Sequence, residues 1–262
     1  MSLNEEKLYL FWDELYDIGA ASVDLALKHC KQTICDWIGA QNAYWIGAVH
    51  AAGEQCTQKD VLGGWRFGSI EVLNPNYTNA ARLRQGLRMG DAREPGETLK
   101  VVMAAAGTFR VYSLGTGMID IDRFRQTEYS DFFYRQPGIV DRLWVAFPVD
   151  NHVESVFLFD RHDGQERFSQ SELQLAAAAL RGLKWLHRNL SLSHGLGPEY
   201  ESLIPSERRM LPHLLSGASE KTISERLNLS PSTVHQYASG IYRKFGARGR
   251  ANFMALWLQG CG

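Results

Sequence analysis

The chain has 262 residues, 45% of them apolar, with a formal net charge of −1. That length exceeds one typical domain, so two are expected. No run approaches the roughly 18 consecutive apolar residues that a membrane helix needs, and the opening MSLNEEKLYLFWDEL has no basic stretch and cleavage site of a secretory signal. Membrane and exported classes are therefore set aside and a cytoplasmic location is expected. Cys30, Cys35, Cys56 and Cys261 form no C-x-x-C pair and no zinc-type spacing with histidine. They read as free thiols in a reducing compartment, with a redox switch as the alternative, and no metal is expected.

Charge is unevenly divided. Residues 203–262 carry eight Lys/Arg against three Glu, a formal +5, which leaves −6 on residues 1–202. A small basic module on an acidic body is the pattern of a nucleic-acid-binding protein.

In chain order, Leu8, Phe11, Trp12 and Leu15 recur at helical spacing. A second helix is expected over Val23 to Ile38, stopped by Gly39. NAYWIGAVHAAG reads as a buried strand closed by Ala51-Ala52-Gly53, and GWRFGSIEV, from Gly64 to Val72, as a second. Asn74-Pro75 makes a turn, and Asn76 to Arg88 reads as helix. Thr98 to Ala106 fits helix or strand; Phe109 to Leu114 fits a strand. Arg142 to Val149 and Val153 to Asp160, joined by Asp150-Asn151-His152, should form an antiparallel hairpin. Ser169 and Glu172 form a capping box that opens one long helix through LQLAAAALRGLKWLHRNL. SLSHGLGPEY then reads as a linker. The expected layout is an α+β domain, an antiparallel sheet flanked by helices, over residues 1–190. A linker at 191–202 and an all-α four-helix domain at 203–262 follow. The run ESVFLFDRHDGQERFSQSELQLAAAALRGL resembles the closing hairpin and helix of GAF-type sensory domains.

The last domain carries the functional signal. Pro205 and Glu207 suit the first turn of a helix, Met210, Leu211, Leu214 and Leu215 form its stripe, and Gly217 stops it. Pro212 should kink that helix. A short helix over Glu220 to Leu227, capped by Ser219, is followed by the turn Asn228-Leu229-Ser230. Ser230 caps a third helix with Pro231 at its first position. Val234, Ala238, Ile241 and Phe245 share one face of it; Ser232, His235, Gln236, Ser239 and Arg243 share the other. Gly246 ends it, and a fourth helix runs from Arg250 to Leu258. Two short helices joined by a tight turn leave the second proud of the surface, where a major groove about 12 Å wide accepts it.

This module resembles the LuxR-type helix-turn-helix along nearly its whole length. The shared positions are Pro205-Ser206-Glu207-Arg208, Gly217, Ile223, Arg226-Leu227, Leu229-Ser230, Ser232-Thr233-Val234, Ile241-Tyr242-Arg243-Lys244 and Gly246. The resemblance implies a bacterial transcription regulator with its third helix in the major groove. His235, Gln236 and Ser239 become base readers, beside Ser232 on the same face; Thr233, Lys221, Arg243 and Lys244 become phosphate contacts. The sequence departs from the family at Pro212, and in having no Lys or Arg at 235, 236 and 239. The implied partners are duplex DNA carrying an inverted-repeat operator, a second copy of the chain, RNA polymerase and a small-molecule effector.

Modules of this kind follow a phosphoacceptor receiver or a ligand-binding domain. A receiver opens with a strand and is shorter than the roughly 190 residues here, so it is set aside. Ala43-Tyr44-Trp45-Ile46-Gly47 and Gly64-Trp65-Arg66-Phe67 have a passing likeness to the acyl-homoserine-lactone sensors. A lactone, another small ligand, and a protein-contact or dimerisation role all stay open. If there is a pocket, the strand aromatics Tyr44, Trp45, Trp65, Phe67, Tyr112 and Trp144 are the candidates to line it; the alternative for each is plain core. There is no G-x-S-x-G, P-loop or H-E-x-x-H, so no catalytic residue, enzyme activity or cofactor is expected. Two readings remain: a ligand-responsive DNA-binding regulator, or a DNA-binding protein whose first domain is a ligand-free dimerisation or docking scaffold. Dimer contact is expected from the first helix (Leu8, Phe11, Trp12, Leu15) and the long helix (Leu173, Leu180, Leu183, Trp185, Leu186).

Overall fold

The computed structural model describes residues 3–50, 62–77, 96–196 and 203–259. The chain divides into two compact units, Met1–Leu190 and Ser191–Gly262. Ala51-Ala52-Gly53, Cys56, Cys261, residues 197–202 of the expected linker and residues 78–88 of the expected helix lie outside the described residues.

In the first unit, α1 (Leu3–Ala21) and α2 (Val23–Ile38) form a hairpin of helices. Ser22 caps α2 through the Leu25 amide, and Gly39, at φ 62°, closes it with its own N–H on the Cys35 carbonyl. The left-handed turn suits glycine, which has no Cβ to clash. Strands β1 (Asn42–His50) and β2 (Trp65–Val72) follow. The ambiguous stretch near Thr98 is helix α3 (Glu97–Ala104), and β3 is Arg110–Ser113. Short helices α4 (Ile121–Arg125) and α5 (Glu128–Ser130) lead into a π-helical turn, Asp131–Arg135. Strands β4 (Ile139–Pro148) and β5 (Val153–His162) pair as the expected hairpin. All five strands make one antiparallel sheet in the order β2-β1-β5-β4-β3.

Period-two alternation gives the sheet two buried faces. Tyr44, Ile46, Trp144, Ala146, Val156 and Leu158 point to one, into a core shared with Val102, Met103, Phe124 and Tyr134. Trp45, Phe157 and Ser155 belong to the other. There the Trp45 indole donates to the Ser155 hydroxyl at 2.8 Å, which lies 2.8 Å from His187 Nδ1, while His187 Nε2 lies 2.9 Å from the Leu180 carbonyl. A carbonyl only accepts, so Nε2 carries the proton and Nδ1 accepts from Ser155. Burial lowers the His187 pKa to about 4, so the ring is neutral, and it stacks on Phe147 at 4.1 Å.

The expected single long helix is two: α6 (Gln170–Arg181), opened by the Ser169/Glu172 capping box, and α7 (Lys184–Ser193). The break has a physical cause at Gly182. A Cβ there would lie 2.4 Å from the indole of Trp12. That indole donates 2.9 Å to the Ala179 carbonyl, and His187 takes the Leu180 carbonyl. Two acceptors of the helical ladder thus go to side chains, and Leu183 N–H turns back to Leu180 instead. α7 extends to Ser193, into the stretch expected as linker.

Of the nine apolar residues expected to form a dimer contact, Leu8, Trp12 and Trp185 are half-buried and the other six are core. Phe11, Leu15, Leu173, Leu180, Leu183 and Leu186 are all buried within the unit; sequence periodicity shows an apolar face without showing what covers it. The large apolar side chains that α1 and α2 leave exposed are Tyr9, Leu10, Tyr16 and Leu25.

The second unit contains α8 (Pro205–Leu215), α9 (Glu220–Leu227), α10 (Pro231–Lys244) and α11 (Arg250–Gln259). They enclose Met210, Leu211, Leu214, Ile223, Val234, Ala238, Ile241 and Phe253. α8 runs as one helix through Pro212, the position where a kink was expected. Its buried stripe on both sides of the proline holds the helix against its neighbours, and the Arg250 guanidinium takes the carbonyls of Leu214 and Ala218 at its end. Among the described residues, no helix is long and apolar enough to cross a membrane.

Candidate nucleic-acid interface and ligand cavity

α9 ends at Asn228, whose left-handed φ of 52° reverses the chain and sends its N–H to the Ser224 carbonyl. The Ser224 hydroxyl takes the Leu229 carbonyl at 2.6 Å, which tightens the turn. Ser230 then caps α10 by accepting from the Thr233 amide at 3.1 Å. Val234, Ala238 and Ile241 are buried, and Ser232, His235, Gln236, Ser239 and Arg243 are all exposed on the opposite face. The structure therefore brings five of the expected contact residues onto one outward strip of one helix. Lys221 is exposed on α9.

Two expected contacts are engaged inside the unit. The Thr233 hydroxyl sits 2.8 Å from Ser230 Oγ. Lys244 Nζ lies 2.5 Å from Glu207 Oε2, and that carboxylate, with a side chain only 6% exposed, also accepts from the Ile204 amide at 2.8 Å. Glu207 in turn explains Gly240: a Cβ at that position would fall 2.8 Å from Glu207 Oε1. His235 Nδ1 faces the Glu220 carboxylate at 3.4 Å, an exposed contact.

In the first unit, a cavity of about 60 Å³ opens beside the sheet face that carries Tyr44. Strand residues Ile46, Phe67, Trp144 and Leu158 form one wall; Thr98, Leu99, Val102 and Met103 of α3, with Tyr129, Phe133 and Tyr134, form the other. Arg110 fixes α3 in place. Its Nε donates to the Val102 carbonyl at 2.7 Å and its two terminal nitrogens grip Glu154 at 2.7 Å each. Of the strand aromatics expected to line a pocket, Phe67 and Trp144 do so. Tyr44, Trp65 and Tyr112 pack in the same core without lining the cavity. Trp45 faces the opposite side, toward Ser155. Neighbours on a strand alternate faces, so Tyr44 and Trp45 were never able to share a site.

Sequence reasoning missed the polar part of the wall. Arg142 stands opposite Asp160 on adjacent strands and grips it with two bonds, 2.6 and 2.7 Å. Its guanidinium lies over the rings of Tyr44 and Tyr134. Thr98 Oγ1 is 3.2 Å from the Tyr134 hydroxyl. Burial pushes the Tyr129 and Tyr134 phenols up, so both stay protonated. A charged pair at matched register on β4 and β5 was the available signal for Arg142 and Asp160. Among the described residues, no group of three or more His, Cys, Asp or Glu is placed to hold a metal ion.

A capped helix, apolar inward and polar outward, set behind a shorter helix by a tight left-handed turn defines a helix-turn-helix domain. Residues 201–256 match the family described as "Bacterial regulatory proteins, luxR family" (GerE), so this segment is a LuxR-type helix-turn-helix. A curated relative is the "Probable HTH-type transcriptional regulator GfsR" of Streptomyces halstedii. It is 39% identical over 57 residues, 22% of this chain and 24% of that protein. The chain thus spans about a quarter of the length of the curated relative it matches.

Among solved structures, Escherichia coli SdiA aligns with a TM-score of 0.41 and 14% identity, over 96% of this chain and 94% of that one. SdiA in complex with octanoyl-rac-glycerol aligns at 0.41 and 15%, over 97% and 92%. The VqsR LBD domain of Pseudomonas aeruginosa aligns at 0.40 and 12%, over 65% and 96%.

Proposed function

We propose that this protein is a transcription regulator that binds duplex DNA by laying α10 in the major groove, and that its sheet unit senses a small ligand. The observation that carries the DNA reading is the exposed strip of α10, Ser232, His235, Gln236, Ser239 and Arg243, on a helix held rigid by a buried opposite face. Gln236 offers a carbonyl and an amide that pair in bidentate fashion with adenine, worth about 1–3 kcal/mol. Lys221 and Arg243 supply phosphate contacts. The sensor reading is supported by the cavity, which is mostly apolar with a few convergent hydroxyls.

One recognition helix reads few base pairs, so the working form is a homodimer on an inverted repeat with half-site centres about one helical turn apart. Tyr9, Leu10, Tyr16 and Leu25 are the surface available for a second copy. Those same residues favour a second reading, in which the sheet unit is only a dimerisation scaffold.

The test of DNA recognition is selection of binding sites from random duplexes by the full chain and by Gln236→Ala. The variant should lose preference at one position of each half-site. An unchanged motif would overturn the assignment of Gln236 to the groove.

A further inference from the structure

His235 stands on the outward strip of α10, and α9 sets an acid against it. Its Nδ1 lies 3.4 Å from both oxygens of the Glu220 carboxylate. An ionised carboxylate only accepts, so the proton of this contact sits on Nδ1. That decides what the rest of the ring can do. Nε2, across the ring from Glu220, is a bare acceptor while the ring is neutral and an N–H donor once it is charged.

The surroundings favour the charged form when DNA is present. From α9, Glu220 faces the ring, with exposed Lys221 next to it in sequence. On α10 itself the residues one turn away, Ser232 and Ser239, are neutral. Arg243 is two turns further on, about 12 Å along the axis, where salt screens most of its field. The side chains of His235 and Glu220 are 70% and 43% exposed, and such a pair is weak by itself. A duplex changes this, because it removes water and brings one negative charge per roughly 1.7 Å of its axis. With anions on both sides, the ring holds its second proton more tightly.

We propose that Glu220 is a positioning residue for base recognition: it holds His235 by Nδ1, so that the ring enters the major groove as an imidazolium and donates Nε2–H to guanine N7 or O6. The proposal rests on the reading of α10 as the groove helix. Guanine is the base that presents two acceptors and no donor at its major-groove edge. Positions 235, 236 and 239 hold no lysine or arginine, so a proton taken up on binding supplies the missing cation. Both side chains lie on the surface, and their replacement removes little packing.

Site selection from random duplexes by the full chain, followed by calorimetric titration of the selected duplex in phosphate and in Tris, tests this. The two buffers differ in heat of ionisation, so proton uptake appears as a difference in binding heat. The native chain should take up a fraction of a proton per protomer near pH 7, and its affinity should fall as pH rises from about 6 to about 8. It should prefer guanine at one position of each half-site by about tenfold, the worth of one hydrogen bond from a charged donor. His235→Gln should remove that uptake and that preference. His235→Lys should keep guanine and remove the uptake. Glu220→Gln should reduce both. An acid that merely repels phosphate would, once neutralised, tighten every duplex alike and leave the preference intact; that result would overturn the proposal. Equal uptake by the native chain and His235→Gln would overturn it as well. So would a His235-dependent preference for adenine or cytosine, the mark of a neutral ring. In these three cases the chain still binds its duplex and the reading of α10 stands. Failure to bind any duplex would overturn both.

Discussion

Arg243 and Lys244 are neighbours at the end of α10 and both are basic, yet their surroundings differ. Arg243 is exposed on the outward strip. Lys244 is held by Glu207, whose side chain is 6% exposed. Replacing Lys244 with Met leaves that carboxylate with the Ile204 amide as its remaining described donor. Breaking a buried pair costs about 3–5 kcal/mol. Lys244 is 27% exposed, so water screens part of the loss, and the expected cost is about 2–3 kcal/mol.

At about 1.4 kcal/mol per factor of ten, that accelerates amide exchange in α8 and α10 by about 30- to 150-fold. Exchange reads each unit separately, which a single melting temperature of a two-unit chain does not. The slope of log affinity for duplex DNA against log salt supplies the contrast. Arg243→Ala should make it shallower by about 0.9, one phosphate's worth of released counterions. Lys244→Met should leave the slope as it is wherever the domain remains folded. The second variant Glu207→Gln/Lys244→Met should recover most of the lost protection, because an amide tolerates burial without a cation. If Lys244→Met flattens the salt slope as Arg243→Ala does and leaves exchange untouched, the reasoning fails and Lys244 is a phosphate contact.

Gly182→Ala should destabilise the sheet unit by about 1–3 kcal/mol in urea denaturation, because the added Cβ meets the Trp12 indole at 2.4 Å. In a Trp12→Ala background the same change should be close to neutral, and an undiminished cost there would place the strain elsewhere. The His187 pKa is lowered to about 4 by burial, against about 6.5 in an unfolded chain. Protonation therefore favours unfolding, and stability is lost as pH falls from about 6.5 to about 4, by up to about 3 kcal/mol. His187→Gln should remove that part of the acid dependence, and a wild-type and variant difference that stays constant across this window would refute it.

Much of the fold was legible because it depends on local rules. The Ser169/Glu172 capping box, the Asp150-Asn151-His152 hairpin and the Gly39 stop all formed where hydrogen-bonding and dihedral preferences put them. The break at Gly182 was not legible. LQLAAAALRGLKWL has helical periodicity throughout, and one glycine costs a helix only about 1 kcal/mol. What splits it is a tryptophan 170 residues earlier, whose indole takes a backbone carbonyl and occupies the space of the missing Cβ. The helix through Pro212 is the converse. A strong local breaker was overridden by an apolar stripe buried on either side of it.

The candidate sites divide along the same line. Helical period assigned His235, Gln236, Ser239 and Arg243 to one face because all four belong to a single element, and the structure exposes them together. The partner of Lys244 lies on α8, 37 residues away, and no spacing rule links Glu207 to it. The one local hint is Gly240, a glycine inside a helix where Ala would be preferred. A glycine at such a position marks close approach by another element, here the Glu207 carboxylate. In the sheet unit, aromatic content pointed to a pocket, but alternation decides which aromatics share it. Trp45 and Tyr44 are adjacent and so diverge, whereas Phe67 and Trp144, on separate strands, meet at one cavity. The polar wall followed from cross-strand register, which places Arg142 opposite Asp160. Two opposite charges at matched register in the middle of a sheet are expensive to bury unless they meet. That cost was the sequence's sign that the two side chains meet on one face of the sheet.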